Sequence, residues 1–404
     1  MALCGLVALA VAMGIGRFAF TPQLPLMQTD FGLSLSTGGW LAGANYLGYL
    51  VGALLAGRQA ASPQRLMHIG LWAVVASTAA MAMPGATAGW LAARFIAGVA
   101  SAWVLVGTAA TALTRLAELG RPDLGGVVFT GVGAGIALAG LLCHAVALGG
   151  GGATAGWGWL ALLALAGALC VTWVGRPRPP TGRPCPAAEL SAGVTEPAHP
   201  AGAPHAIANQ PSPAPTTASD ARRLVLCYGL FGLGYILPAT YLPAQARLLV
   251  PDPALFGWIW PVFGLAAMLS TLASGLLGRW SRRYAWAGAQ AVMAFGVILP
   301  ALSPGLTALV VAALCVGGTF MLITLFGLQE ARACGGRDAR RLMAAMTAAF
   351  ATGQLAGPLV ANALQALGLG LDAALWLGTA GLLASSLLLV RPTPHPLPET
   401  ETRS

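Results

Sequence analysis

Stretches of about 20 consecutive apolar residues recur from one end of this chain to the other, and each is long enough to cross a bilayer as a helix. Short segments containing Pro, Gly and Arg separate them. Only 8% of the 404 residues are charged, whereas about a quarter are charged in a soluble domain. Water cannot be the main solvent of such a chain, so the sequence predicts an all-α membrane protein.

The apolar stretches fall into two sets of six, with residues 1–175 forming the first set and residues 224–391 the second. With boundaries good to about four residues, the predicted spans lie at roughly 2–26, 38–57, 66–83, 88–113, 125–148, 155–175, 224–249, 254–278, 284–302, 306–329, 342–367 and 372–390. The first stretch lacks a basic leader, which favours a span over a cleaved signal peptide. A chain started downstream of its natural first residue would look the same.

Residues 176–223 separate the two sets and are rich in Pro, Ala, Ser and Thr. A segment with so few large apolar side chains cannot bury a core, so it is predicted to be a disordered linker. The tail at residues 392–404 has the same character. The predicted organisation is therefore a six-helix bundle, a linker, a second six-helix bundle and a short tail.

Arginine decides the predicted orientation, because all 21 basic residues are Arg. In the short loops, eleven Arg residues lie on one side and Arg247 lies alone on the other. The positive-inside rule then places the Arg-rich side, both termini and the linker in the cytoplasm, as in a bacterial cytoplasmic membrane. Nucleic-acid binding is not expected, since the Arg residues lie at span ends rather than on one soluble face.

An internal repeat relates the two sets at an offset of 218 residues. The pairs that it matches include Gly14 with Gly232, Gly16 with Gly234, Leu24 with Leu242, Pro25 with Pro243 and Arg65 with Arg283. An even number of spans in each set, with termini on one side, makes this a parallel repeat. Such repeats occur in transporters whose two bundles rock about a site near the membrane midplane.

The first two predicted spans carry the most distinctive motifs of the chain. These are Gly14-Ile-Gly-Arg-Phe18, Thr21-Pro22, Leu24-Pro-Leu-Met27, Trp40-Leu-Ala42 and Ala44-Asn-Tyr-Leu-Gly-Tyr49, supported by Arg94-Phe-Ile-Ala-Gly98, Gly131-Val-Gly-Ala-Gly-Ile136 and Gly234-Tyr-Ile236. They resemble the major facilitator superfamily, and within it the YbfB/YjiJ-type branch. The resemblance implies a twelve-helix facilitator fold of two bundles that works as a monomer and moves a small solute by alternating access.

Two departures from the superfamily pattern affect this expectation. The loop after the second span keeps Gly57 and Arg65 but lacks the Asp of the usual signature, which puts the usual gating ion pair in doubt. The fifth span has Ile136 where the antiporter signature has Pro, which weakens an assignment as a drug–proton antiporter. The residues predicted to act in cytoplasmic gating are Arg58, Arg65, Arg279, Arg283 and Glu330.

Arg17 is a cation inside the first predicted span, so it should face the protein interior and have a partner. No Asp or Glu lies near the middle of any predicted span. One hypothesis is that the partner is a substrate anion. The other is that Arg17 binds backbone carbonyls freed where the helix is loosened by Gly14, Gly16, Pro22 and Pro25.

Arg94 and Asn45 each have two interpretations as well. Arg94 is either a cavity or coupling residue, as the resemblance implies, or a side chain that extends to the membrane interface. Asn45 lies one turn before Tyr49 and is either a solute ligand or a bond between helices. Two interior cations without an acid would favour anionic solutes such as carboxylates.

Further polar side chains in spans one, seven and eleven complete the predicted solute cavity, although each alone is more often structural. The full set of cavity candidates is Arg17, Gln23, Asn45, Tyr49, Arg94, Tyr235, Tyr241, Gln354 and Asn362. His144 near the outer end of span five has two interpretations, a proton shuttle and a packing residue, and we expect the second. No Cys or His pair has metal-ligand spacing and no phosphate-binding loop is present, so neither a metal nor another cofactor is expected.

We therefore expect a secondary or facilitated transporter, not an enzyme, for a small and in particular anionic organic solute. Its partners would be that solute, the lipid bilayer and a coupling ion, for which a proton is the candidate. Two alternatives remain open. One is a non-transporting receptor or sensor on the same fold. The other is a membrane-embedded enzyme, for which the outer loops offer only the scattered acids Asp30, Asp252 and Asp372.

Overall fold

The structure is a computed structural model that describes residues 2–58, 61–83, 85, 87–174, 218–249, 257–303 and 305–391. The side chains of Leu35, residues 240–249, Arg279 and Leu371 lie outside this description. Most of the predicted linker and the predicted tail also lie outside the described residues. The described part is helical along nearly its whole length.

The first set begins with one long rod made of helix α1, a π-helical segment and helix α2. The helices of this set are α1 (Ala2–Leu9), the π-helical segment (Ala10–Phe18), α2 (Phe20–Phe31), α3 (Leu35–Arg58), α4 (Pro63–Met81), α5 (Thr87–Thr108), a short π-helical turn (Ala109–Leu113), α6 (Thr114–Glu118), a 3-10 turn (Pro122–Leu124), α7 (Gly125–Leu148) and α8 (Ala153–Val174). Gly32 closes α2 with a φ of 62°, a conformation that suits glycine.

The second set follows the same order of long helices. Its elements are α9 (Ala218–Leu249), α10 (Ile259–Leu272), a 3-10 segment (Ala273–Arg279), α11 (Arg282–Leu302), α12 (Leu306–Gly335), a 3-10 turn (Gly336–Asp338), α13 (Ala339–Ala366) and α14 (Gly370–Val390). Gly336, with a φ of 50°, separates α12 from α13. Each of the twelve predicted spans corresponds to helix in the described residues.

Nine stretches of described helix are long and apolar enough to cross a membrane by length and composition. One of them, residues 306–366, contains both α12 and α13, whereas α4 and α9 are not among the nine. An all-helical membrane protein is what these helices support. The count of twelve spans stays a prediction.

The distribution of side chains is reversed relative to a soluble protein. Trp40 and Leu276 are 72% and 82% exposed on the outer surface, while Arg17, Arg94 and Asn45 are at most 3% exposed inside. Water would favour the opposite arrangement. A hydrocarbon solvent favours this one, because apolar side chains face lipid at no cost and polar groups find partners in the interior.

Glycines bring the two sets into close backbone contact along α7 and α10. Gly133 lies against Met268 N and Gly264 O, and Gly264 lies in turn against Ala137 N, so neither glycine has room for a side chain. Within the first set, Gly48 and Gly98 bring α3 and α5 together in the same way. Small residues commonly mediate such contacts between membrane helices.

The linker prediction needs one correction. Residues 218–223 were predicted as linker, but α9 already begins at Ala218. Asp220 occupies the first turn of α9, where a negative charge is favourable, and it pairs with Arg223 and Arg283. These interactions extend the helix before the apolar stretch starts.

Candidate functional site

The first long helix departs from α-helical geometry over Ala10–Phe18, which contains Gly14 and Gly16. A π-helical stretch lengthens the hydrogen-bond spacing and leaves some carbonyls available to side chains. Arg94 on α5 takes two of them, because its Nη1 donates to Gly16 O and its Nη2 to Arg17 O, each at 3.1 Å. The guanidinium also lies 4.8 Å from the centre of the Phe20 ring. Arg94 therefore fixes the position of the segment that carries Arg17.

Arg17 extends from this segment to the place where the two helix sets meet. Its Nη2 donates a hydrogen bond to Gln354 Oε1 on α13, so the bond joins the first set to the second. The guanidinium carbon lies 3.8 Å from the centre of the Tyr49 ring and 5.7 Å from that of Tyr46. Arg17 is only 3% exposed, and its Nε and Nη1 have no hydrogen-bond acceptor among the described residues.

Aromatic rings from the second set surround the other side of this centre. Phe18, next to Arg17, meets Phe320 edge to face at 5.9 Å between ring centres. Tyr235 stacks on the same Phe320 at 5.3 Å. Phe350 lies one helical turn before Gln354 and packs 6.1 Å from Tyr235. The central site thus combines one cation with donors to spare and a wall of aromatic rings.

The structure brings some of the predicted cavity residues to this centre and not others. Arg17, Tyr49 and Gln354 are in direct contact, and Tyr235 belongs to the aromatic wall. Asn362 is exposed near the end of α13 and does not join them. The side chain of Tyr241 lies outside the described residues.

Three other candidates connect neighbouring helices of the first set. The amide of Asn45 donates to Arg94 O at 3.0 Å and so ties α3 to α5. Gln23 is fully buried against Gly156 of α8. One hypothesis from the sequence was that Arg17 binds carbonyls freed in the loosened first helix. In the structure it is Arg94 that binds two of these carbonyls.

Two of the predicted gating residues form an ion-pair network at the Arg-rich end of the second set. Arg283 bridges Glu330 and Asp220, each at 2.6 Å, and Arg282 pairs with Glu330 at 3.1 Å. Burial raises the pKa of the Asp220 carboxyl, but the hydrogen bonds and charges of Arg283 and Arg223 outweigh burial, so its pKa lies below the ordinary value.

The other gating candidates behave differently. Arg58 and Arg65 are exposed and have no ion pair among the described residues, in agreement with the missing Asp of their loop. The side chain of Arg279 lies outside the described residues. The two sets nevertheless touch at this end, because Arg340 Nη1 donates to Ala61 O at 2.7 Å and Gly57 lies against Ala344.

A cavity of about 650 Å³ opens between the two sets at the same end. The first set lines it with Leu113, Ala117, Pro122 and Asp123, and the second set contributes residues that include Arg282, Arg283 and Glu330. This cavity lies at the loop end of the helices and not at Arg17. It is a cleft between the sets, with charged side chains on part of its wall, on the side predicted to be cytoplasmic.

Sequence reasoning missed three residues that matter here. Tyr46 lies inside the motif Ala44–Tyr49 of the second span and was not predicted as a cavity residue, although its ring faces Arg17. Phe350 was not predicted as a site residue either, although its position one helical turn before Gln354 could have indicated it. Asp220 was assigned to the linker, because its partner Arg283 is 63 positions away in sequence.

At the far end of the molecule Asp30, predicted as an outer-loop acid, caps α8 by accepting from Ala153 N at 2.6 Å.

Comparison with known proteins identifies the family. A family model described as the uncharacterised MFS-type transporter YbfB matches residues 9–390. The chain belongs to this family. The resemblance to the major facilitator superfamily and its YbfB-type branch is thereby confirmed. No curated protein matches the chain significantly in sequence.

A solved structure supports the fold of this MFS-type chain. Its superposition on the human organic anion transporter MFSD10 (TETRAN) covers 96% of this chain and 99% of the transporter chain, with a TM-score of 0.68 and 18% sequence identity. At that identity the likeness concerns the fold. Family and fold together indicate a multi-pass membrane transporter of the MFS type rather than an enzyme.

Proposed function

We propose that this chain carries a small organic anion across the cytoplasmic membrane by alternating access. In this proposal the two helix sets are six-helix bundles of twelve spans, related by the parallel repeat, with both termini in the cytoplasm. The solute binds between the bundles near the membrane midplane, and Arg17 is its main ligand. Transport is secondary or facilitated.

The observation that carries the proposal is the incomplete pairing of Arg17. A buried cation is unfavourable unless it is paired and hydrogen-bonded. Gln354 supplies one neutral acceptor, while Nε and Nη1 have none in the part of the chain that the structure describes. The Asp and Glu residues that the structure describes lie at or near helix ends, so none of them neutralises this charge. The carboxylate of a solute would supply the negative charge and an acceptor for Nε or for Nη1.

The surroundings of Arg17 favour an organic anion over an inorganic one. Tyr49, Tyr235 and Phe320 give the centre an apolar, ring-lined wall, which binds carbon-rich groups through burial. Arg94 adds a second positive charge nearby without offering its Nη donors, which bind backbone carbonyls. MFSD10, which shares this fold, is described as an organic anion transporter, and this agrees with the proposed class of solute.

The test is a thermal-shift measurement on the purified protein with benzoate, succinate, choline and glucose. A bound solute stabilises the folded state by RT ln(1 + [L]/Kd), about 2.7 kcal/mol at a concentration of 100 Kd. We expect an anion to raise the melting temperature of the wild type and to have no effect on Arg17→Gln. The matched control is Arg115→Ala, which removes an exposed Arg paired with Glu118 and should keep the response.

Two results would contradict the proposal. One is stabilisation by choline or glucose but by neither anion. The other is an anion response that survives in Arg17→Gln. Uptake of the stabilising anion into proteoliposomes then separates a transporter from a receptor, since a receptor binds without flux.

A further inference from the structure

The hydrogen bond between Arg17 and Gln354 is a polar side-chain contact that joins the two helix sets at their centre. Arg17 belongs to the first set and Gln354 to the second, 337 positions later in the chain. Both side chains are at most 3% exposed, and so are Tyr49 and Tyr235 beside them. The two sets therefore close around Arg17 by using a side chain of the protein as the acceptor.

The chemistry of residue 354 makes this closure reversible. An amide oxygen accepts a hydrogen bond from a guanidinium but carries no charge, whereas charge-assisted bonds to carboxylates are about twice as strong as neutral ones. A solute carboxylate therefore competes successfully with Gln354 for Arg17. A Glu at this position would hold Arg17 much more firmly, and a Leu would leave the cation with no acceptor from the second set.

Gln354 also accepts from the guanidinium nitrogen that every bidentate contact with a carboxylate requires. A guanidinium binds a carboxylate in a bidentate manner through Nε and Nη2 or through Nη1 and Nη2, so Nη2 belongs to both pairs. Gln354 accepts from Nη2. An arriving carboxylate thus meets the amide at the donor that both binding modes share.

We propose that Gln354 is an internal substitute ligand, which allows the two sets to close over Arg17 and to exchange sides when no solute is bound. This inference rests on the proposed function, because it takes Arg17 as the anion site. Its consequence is a transporter that performs net flux. A carrier without such a substitute would have to bury an unpaired cation on the empty return, which restricts it to exchange of one solute for another.

The direct test measures distances between spin labels in the protein without solute. Labels introduced as unnatural amino acids, which leave the native cysteines intact, are placed at Arg58 and Arg341 for the Arg-rich end and at Thr29 and Leu367 for the opposite end. All four positions are exposed. We expect the wild type to have a population in which both pairs are close, and Gln354→Leu to lose that population.

Two further variants keep this test decisive. Gln354→Glu should increase the closed population, because a carboxylate binds Arg17 more strongly than an amide does. Gln290→Leu is the matched control, since Gln290 is also fully buried and, among the described residues, bonds Cys227 O and Ser385 Oγ of its own set. Distances in Gln354→Leu and Gln354→Glu that equal those of the wild type would overturn the proposal, as would an equal shift in Gln290→Leu.

Flux measurements test the consequence. Radiolabelled benzoate is loaded into proteoliposomes, and its efflux is compared between solute-free buffer and buffer containing unlabelled benzoate. We expect Gln354→Leu to lower the ratio of net efflux to exchange by about tenfold, the effect of losing one hydrogen bond to a charged group. An unchanged ratio would refute the substitute-ligand role. Absence of benzoate movement in the wild type would count against benzoate as the solute, and the label distances would still decide the role of Gln354.

Discussion

The most informative perturbation of the central site is the removal of Arg94. In Arg94→Met the side chain keeps an unbranched apolar stem but is shorter and loses both bonds to Gly16 O and Arg17 O. The two carbonyls belong to the π-helical segment, so their own helix does not fully satisfy them. We expect the variant to be less stable and its Arg17 to be less well positioned.

The magnitude follows from two bonds of 3.1 Å made by a charged donor. Hydrogen bonds between membrane helices contribute about 0.6 kcal/mol each on average, while bonds to charged groups contribute about 1.5–3 kcal/mol each. Burial of the guanidinium itself is unfavourable, which offsets part of the upper value. We therefore expect Arg94→Met to lower the free energy of unfolding by about 1–3 kcal/mol.

The assay is denaturant unfolding in mixed micelles, with Arg94→Lys and Arg115→Met measured alongside. A single ammonium is a point donor rather than a fork, so Lys should recover only part of the loss. Arg115→Met removes an exposed Arg and should change little. Because Arg94 supports Arg17 and does not serve as the main ligand, Arg94→Lys should keep its thermal response to anions. Wild-type stability in Arg94→Met, or a lost anion response in a stable Arg94→Lys, would refute this account.

Two further predictions concern the ring over Arg17 and the charged end of the second set. Tyr49→Leu should lower the free energy of unfolding by more than Tyr49→Phe does. The reason is that the buried ring, 3.8 Å from the guanidinium, contributes roughly 2 kcal/mol of cation–π attraction that Phe retains. Equal losses of unfolding free energy in both variants would exclude that attraction. Asp220 has a depressed pKa in the folded state, so its stabilisation is present above the ordinary carboxyl value of about 4 and is lost as the pH falls through the depressed value. The melting temperature of Asp220→Asn should accordingly lie below that of the wild type at pH 7 and approach it under acidic conditions, and a gap that does not depend on pH would contradict this.

The positions of the helices could be predicted from the sequence because apolar stretches and breakers determine them locally. Residues 125–148 were predicted as a span, and α7 runs from Gly125 to Leu148. The prediction was less accurate where tertiary contacts decide the boundary. Helix α9 includes residues 218–223, where Asp220 meets Arg283, and α12 continues past the predicted end at 329 to Gly335, with Glu330 in the same ion-pair network.

The composition of the central site was only partly predictable. A cation within a span must face the interior, and this rule identified Arg17 correctly as a buried residue. The rule does not identify a partner, because Gln354 is distant in sequence and any of several polar residues in spans one, seven and eleven would serve. The π-helical segment was indicated by Gly14 and Gly16 only as a loosened helix. Which arginine would bind its carbonyls depended on the packing of α5.

The internal repeat explains why the centre holds a single charge with donors to spare. At the offset of 218 residues, Arg17 corresponds to Tyr235, so the two sets present a cation and a phenol ring to the same centre. Two arginines at the equivalent positions would repel each other in a medium of low dielectric constant. The asymmetry extends to the Arg-rich end, where the repeat partners of Asp220 and Glu330 are Ala2 and Ala112. Only the second set can therefore build the carboxylate network, and the exposed Arg65, the repeat partner of Arg283, has no equivalent acids to bind. The repeat thus supplies two similar helix sets, while the substitutions between them give Arg17 to the first set and Gln354 and the ion pairs at the loop end to the second.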